Sequence, residues 1–172
     1  MTLRPHRNTG ELTHDLLHYL QGHFQAIPED YQEFLRAKNG GTPTPELIFK
    51  FSSADDDGWI ISNFTSIKCQ KGQLSIDLQV EAWGLDYGPS FIPIADDEMG
   101  NYFLLSVAPE SFGLIYYRDH ELTDEDNPML GLTFLAQTFT DFIQRLHDTD
   151  YTAPDWEAEH DAALRNILKH PK

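Results

Sequence analysis

Two apolar segments on either side of an acidic turn constrain the fold of this chain more than any other feature. Residues 91–95, Phe-Ile-Pro-Ile-Ala, are followed by Asp96, Asp97 and Glu98, and a second apolar run begins after Gly100-Asn101. Such runs, separated by turn residues, predict two antiparallel strands with a tight connection. The three carboxylates then lie at the rim of a sheet. The segment contains no evident nucleophile, metal cage or phosphate loop, so it indicates a binding surface more than a catalytic centre.

Further strand signals surround this pair. Residues 74–82 alternate strictly between apolar and polar side chains, the pattern of a half-buried antiparallel strand. Pro93 predicts an edge strand or a strand end, because proline cannot donate a ladder hydrogen bond. The predicted strands are residues 47–51, 59–61, 74–82, 91–94, 102–107 and 114–117.

Two helices are predicted before these strands, over residues 9–26 and from Pro28 to about residue 38. Leu12, Leu16, Leu20 and Phe24 give the first helix an apolar stripe. Pro28 fits the first position of the second helix, and Asn39-Gly40-Gly41 supplies left-handed residues that end it.

Two further helices are predicted after the strands. Leu135, Phe139, Phe142, Ile143 and Leu146 recur at helical spacing, and Thr138 with Asp141 resembles a capping box. The last helix covers about residues 155–169. Together, these strands and helices predict one α+β domain over residues 1–172. Its antiparallel or mixed sheet would have one face covered by helices from both ends of the chain.

Charge excludes several classes of partner. The chain has 12 Lys and Arg against 28 Asp and Glu, a formal net charge of −16. Such a field repels nucleic acid and anionic membranes and attracts basic partners, although solubility alone is an alternative explanation. No apolar run has the length of a membrane span and no signal-peptide pattern is present, so a cytoplasmic location is expected. The single Cys69 excludes an internal disulfide and a Cys-based zinc site.

Three short motifs suggest chemistry only weakly. His14 and His18 lie four residues apart, as in zinc proteases, but an Asp stands where the catalytic Glu is needed, and a solvated helix face is favoured. The run 55–57, Asp-Asp-Asp, lacks the alternation of a calcium loop and is interpreted as an exposed connection. The run 119–121, Asp-His-Glu, offers an acid–base pair without a second catalytic element. We expect no metal and no cofactor.

Four segments follow one another in a recognisable order. The first is residues 27–41, with Ile-Pro-Glu-Asp-Tyr, then Phe34-Leu35, then Asn-Gly-Gly. The second is residues 91–101. The third is Gly-Leu-Ile-Tyr-Tyr at 113–117 with Asp-His-Glu at 119–121, and the last is Thr-Phe-Thr-Asp-Phe-Ile at 138–143. Taken in this order, they resemble the opening, central, third and closing-helix motifs of the SUKH superfamily, the Smi/Knr-like domain. The resemblance covers about residues 27–146 and leaves the predicted helices at 9–26 and 155–169 as flanking elements.

The resemblance implies an α+β domain without enzymatic activity. It implies, for bacterial members, an immunity protein that binds and blocks a secreted toxin, often a nuclease, and, for fungal members, a regulator of cell-wall assembly. A nuclease has a basic cleft for phosphates, which an acidic inhibitor can meet by steered association.

The leading hypothesis is therefore a non-enzymatic immunity protein that occludes the cleft of a basic toxin. The alternatives are a regulatory scaffold for endogenous partners and a hydrolase that uses His120. Tyr117 is a candidate aromatic anchor, since Tyr is enriched at binding hot spots. The predicted contact residues are Asp96, Asp97, Glu98, Tyr117, Asp119 and Glu121, with Asp55, Asp56 and Asp57 as a second acidic rim.

Overall fold

The computed structural model of the chain describes residues 1–6, 18, 20–22, 24, 26–50, 58–67, 76, 90–122 and 130–148. Within these ranges strands and helices combine in an α+β fold, and every strand pairing is antiparallel, which confirms the predicted class. None of the helices in the described ranges is long and apolar enough to cross a membrane. In chain order the elements are β1 Thr2–Arg4, α1 Glu29–Lys38, β2 Thr42–Thr44, β3 Leu47–Phe49, β4 Trp59–Ile61, β5 Asn63–Phe64, β6 Phe91–Asp96, β7 Tyr102–Ser106, a 3-10 helix Pro109–Ser111, β8 Ile115–Arg118, β9 Leu132–Ala136, α2 Phe139–Gln144 and β10 Leu146–Asp148.

The largest sheet has the strand order β5-β6-β7-β8-β9. The predicted strands around the acidic turn are confirmed as β6 and β7, and the strand after them as β8. The expectation that Pro93 marks a sheet edge is wrong, because β6 lies between β5 and β7. The ladder tolerates the proline because the register shifts between Pro93 and Ala95, a bulge, and because β5 ends before reaching it.

Two smaller sheets complete the strand pairing. The first has the order β10-β3-β4, and the second pairs β1 with β2. The predicted strand 47–51 ends at Phe49, and strand 59–61 has the predicted bounds. Strands β1, β2, β5, β9 and β10 were not predicted, since each is short or lies in a sequence that shows no alternation.

Helix α1 begins and ends at signals that the sequence contains. Pro28 is the residue before the helix rather than its first position, and Asn39 ends it in the left-handed conformation, with φ of 44°. Asn39 also exchanges two side-chain hydrogen bonds with the backbone of Ile67. Gly40, with φ of 76°, allows the chain to pass so close to β5 that a β-carbon would lie 2.5 Å from the carbonyl oxygen of Thr65.

Helix α2 is shorter than predicted. The side chain of Thr138 accepts a hydrogen bond from the backbone of Asp141, which confirms the cap. Leu135 and Leu146, assigned to the same helix from their spacing, instead lie in β9 and β10. Their helical spacing is coincidental, because both strands also direct these apolar side chains towards the core.

Helices α1 and α2 pack on one face of the large sheet, as expected. The Phe142 ring lies 5.6 Å from that of Phe103 on β7, and the Phe34 ring lies 5.3 Å from that of Phe64 on β5. The helices contact each other through Tyr31 and Phe139, whose rings are 5.0 Å apart. The core therefore lies between the helix pair and the sheet.

The predicted strand at 74–82 is wrong at its one described residue. Ile76 is helical and buried, and its N–H donates to the carbonyl of Ser66. Alternation predicted the burial of Ile76 but not its conformation. In the predicted helix 9–26, residues 18 and 20–22 are helical, with Leu20 and Phe24 buried and His18 exposed, as the stripe requires. The helix predicted at 155–169 lies outside the described residues.

Candidate functional site

Two acidic segments meet at one end of the large sheet. Asp96 pairs with Tyr102 across the β6–β7 ladder, and Tyr102 pairs with Arg118 across β7–β8. The β6–β7 turn and the chain that leaves β8 are therefore neighbours. We call this end the acidic tip; it consists of Asp96, Asp97, Glu98, Asp119 and Glu121.

Asp97 holds the turn together through four hydrogen bonds. Its Oδ1 accepts from the backbone N–H groups of Met99 at 2.9 Å and Asn101 at 2.8 Å. Its Oδ2 accepts from the Asn101 side-chain amide and from the Tyr117 hydroxyl, both at 2.9 Å. A carboxylate that satisfies two backbone donors and two side chains fixes the turn conformation.

Asn101 joins the two segments of the tip. Its Nδ2 donates to Asp97, and its Oδ1 accepts from the backbone N–H of His120 at 3.0 Å. The same oxygen lies 2.7 Å from His120 Nδ1, so that nitrogen carries the proton in this arrangement. The turn and the chain after β8 are thus held in one fixed relationship.

The outer surface of the tip combines negative charge with one apolar side chain. Glu98 and Glu121 are exposed, and Asp119 is half-buried, with its Oδ1 accepting from the N–H of Glu121 at 2.9 Å. Met99 follows Glu98 in the turn and is 76% exposed. A partner therefore meets carboxylates together with a flexible thioether side chain that adapts to apolar pockets.

Asp96 differs from the other acids of the tip. Burial, followed by the neighbouring charge of Asp97, raises its pKa to about 6, although a hydrogen bond from Asn63 opposes the shift. Asn63 Nδ2 donates to Asp96 Oδ1 at 3.0 Å, while Asn63 Oδ1 accepts from Thr42 Oγ1 at 2.9 Å. Asp96 therefore belongs to a polar network that links β2, β5 and β6.

Tyr117 supports the tip from the core side. Its side chain is only 5% exposed, and its ring stacks on Trp59 of β4 at 4.0 Å and meets Phe103 edge-on at 5.4 Å. Burial and the adjacent Asp97 carboxylate raise the pKa of its hydroxyl. The contact with Trp59 joins the β10-β3-β4 sheet to the five-stranded sheet beneath the turn.

Sequence reasoning missed Glu46, which belongs to this charged environment. Partial burial raises the pKa of Glu46, and the negative charge of Glu98 raises it further. Glu46 is distant in sequence from the turn, so no spacing signal could have found it. The second predicted rim, 55–57, lies outside the described residues, and its role stays a prediction.

The histidine of the tip does not stand in an acid–base pair with its sequence neighbours in the described contacts. The His120 ring bonds the amide of Asn101, while the Asp119 carboxylate accepts from a backbone N–H. Within the described ranges, no group of three or more His, Cys, Asp or Glu side chains could hold a metal ion.

Comparison with known families identifies the fold that carries this tip. The model of the SMI1 / KNR4 family (SUKH-1) matches residues 23–145. The chain belongs to this family. The resemblance to the SUKH superfamily, predicted over about residues 27–146, is thereby confirmed. No curated protein matches the chain.

The acidic tip of this SUKH-1 protein lies inside the matched range. Both of its segments, 96–98 and 119–121, fall within residues 23–145. Strands β1 and β10 lie outside that range. The charged end of the sheet is therefore carried by the family fold itself rather than by an added segment.

Proposed function

We propose that this SUKH-1 protein is a non-enzymatic, protein-binding domain of the immunity type. It neutralises a basic toxin domain, such as a nuclease, by occluding its cleft. The observation that carries the proposal is the fixed pairing of two acidic segments by Asn101. A rigid charged surface loses little conformational entropy on binding, so more of its interaction energy appears as affinity. The net charge of −16 would steer a basic partner towards it.

The residues of the tip divide between contact and support. Glu98 and Glu121, which are exposed, would make the outermost contacts, together with the exposed Met99 next to Glu98. Asp97 and Tyr117 would act by holding the turn, since their polar atoms already bond one another. Asp96 and Asp119 would add to the field, and the 55–57 run would form the second rim.

Binding to the toxin domain encoded beside the gene tests the proposal. In titration calorimetry, Glu98→Lys combined with Glu121→Lys should weaken binding by about tenfold or more and should reduce its salt dependence. Glu33→Lys, a reversal at an exposed position on α1, is the matched control for each of the two tip reversals made singly and should change binding less than either. The protein should also protect cells that express the toxin.

Three results would count against the proposal. Failure to bind and failure to protect would remove the immunity role. Equal weakening by the tip and α1 reversals would place the effect in the overall charge rather than in the tip. Binding to an endogenous protein instead, with the same dependence on Glu98 and Glu121, would favour a regulatory scaffold.

A further inference from the structure

The outer edge of β9 is the second surface that the fold presents. In the described sheet β9 is the last strand, with β8 on its inner side. The backbone N–H of Asp119 donates to the carbonyl of Gly131, just before the strand. In an antiparallel ladder this bond means that Arg118 and Leu132 form a non-hydrogen-bonded pair. The next pair, Tyr117 and Thr133, is then the hydrogen-bonded one, so the N–H and C=O groups of Thr133 face β8. The backbone groups of Leu132 and Phe134 therefore point outwards.

Within the described part of the chain, this edge lacks the usual protection over residues 132–134. Natural edge strands are shielded by charged side chains, prolines or bulges. Residues 132–134, Leu-Thr-Phe, carry no charge and no proline, and the register shift comes only after them, between the pairs of Tyr116 and Ile115. Phe134 is 43% exposed, and its ring packs on that of Tyr116 at 6.1 Å.

Apolar and acidic side chains surround the edge. Leu122 and Leu130 are both exposed, and Leu122 lies against Gly131, directly before the strand. Glu121 is exposed beside Leu122. An incoming strand would thus meet an apolar row that ends in negative charge.

We infer that the β9 edge binds an extended segment of a partner protein by strand addition, with an apolar residue beside Phe134 and a Lys or Arg near Glu121. Backbone groups of the segment would pair with Leu132 and Phe134, as in other cases of β-augmentation. A second copy of this chain is a poorer occupant, because each copy carries a net charge of −16. The inference rests on the proposed protein-binding function and adds a second mode of contact to it.

A capped peptide, acetyl-Lys-Val-Thr-Val-Thr-Val-Lys-amide, is the probe, and nuclear magnetic resonance of the labelled protein is the measurement. Saturable shifts and slowed hydrogen exchange are expected at the amides of Leu132 and Phe134. The amide of Thr133, which faces β8, should change little in exchange. A peptide with Glu in place of both Lys residues should bind more weakly.

Variants separate strand addition from other modes. Leu132→Pro removes one outward N–H and should weaken peptide binding about fivefold, the effect of one net hydrogen bond. Phe134→Thr keeps a strand-forming residue and should also weaken binding, so the inference stays testable if the proline variant does not fold. Phe112→Thr is the control, because Phe112 is 44% exposed elsewhere on the surface.

Several outcomes would overturn strand addition. One is the absence of a saturable chemical-shift change at Leu132 and Phe134, or changes confined to Glu98 and Glu121. Another is equal peptide affinity in Leu132→Pro and the parent protein. A third is a dimer of the protein that Leu132→Pro abolishes. Because the peptide assay does not use the toxin, failure at the edge is distinguishable from failure of the proposed immunity role.

Discussion

Tyr117 donates its hydroxyl hydrogen to Asp97 Oδ2 across 2.9 Å, which ties strand β8 to the turn between β6 and β7. The two residues are 20 positions apart in sequence; Asp97 lies in the turn that follows β6, and Tyr117 lies in β8. The bond separates the acids of the turn into two kinds. Asp97 uses its charge to hold the fold, whereas Glu98, next to it, directs its charge to solvent.

Removal of the Tyr117 hydroxyl tests this bond directly. Tyr117→Phe keeps the ring between Trp59 and Phe103 but removes one donor from the Asp97 carboxylate. We expect the free energy of unfolding to fall by about 1.5–3 kcal/mol, the range for a hydrogen bond to a charged group. Urea denaturation provides the measurement. Tyr116→Phe, at the adjacent half-buried position, should change stability by less than about 0.5 kcal/mol, and equal effects would contradict the assignment.

Asp97 and Glu98, although adjacent, should differ strongly in their contribution to the free energy of unfolding. Asp97→Ala leaves the N–H groups of Met99 and Asn101 without their acceptor, so we expect a loss of about 2–4 kcal/mol. Glu98→Ala, at an exposed position, should stay within about 0.5 kcal/mol of the parent in thermal and urea unfolding. A small effect at Asp97 would mean that the turn holds its shape without the carboxylate.

The sequence predicted the fold best where signals at different levels agreed. The sequence of α1 has an apolar face, acidic residues at its start, basic residues at its end and the left-handed Asn39 after it. The predicted bounds of the helix agree with the observed ones to within one residue. Strands β6 and β7 had apolar runs around a turn, and the Asp96, Asp97 and Glu98 carboxylates do lie at a sheet rim. Local sequence was sufficient there because local and tertiary preferences coincide.

Prediction failed where tertiary contacts decide the conformation. Apolar residues at helical spacing did not keep Leu135 and Leu146 in a helix, because Leu135 lies at the bulge of β9 and Leu146 pairs with Phe49 of β3. Alternation at 74–82 did not make Ile76 a strand residue. Within the site, the approach of Glu46 to Glu98 and the bond from Asn101 to His120 depend on segments brought together only by the sheet.

Gly131 has a left-handed backbone conformation, and the atoms around it leave no room for a side chain. Its φ is 80°, and a β-carbon there would meet Arg118 Nη1 and the Leu122 carbonyl oxygen, the latter at 2.9 Å. Gly131→Ala should therefore destabilise the protein by about 2–3 kcal/mol. Gly100→Ala is the control, because its φ is 89° but its nearest neighbour would be 3.9 Å away, so only backbone strain of about 1 kcal/mol is expected. Equal losses in urea unfolding would show that the crowding near Arg118 is relieved.

Asp96 gives the stability of the protein a dependence on pH. Its pKa of about 6 in the fold lies above the ordinary value of 3.8, so the folded state binds this proton more tightly than the unfolded state. The resulting stabilisation is fully present below about pH 4 and is lost as the pH rises through about 6. Asp96→Asn removes the titration and keeps an oxygen that can accept from Asn63 Nδ2.

The Asp96→Asn variant should therefore gain stability relative to the parent as the pH rises. We expect the variant to exceed the parent by about 1–2 kcal/mol at pH 7 after alignment of the two curves at pH 4. Urea unfolding at intervals between these values provides the measurement, with Asp148→Asn, at an exposed position on β10, as the matched control. A difference between variant and parent that stays constant across this range would contradict the raised pKa, because burial of the Asp96 carboxylate would then carry no cost.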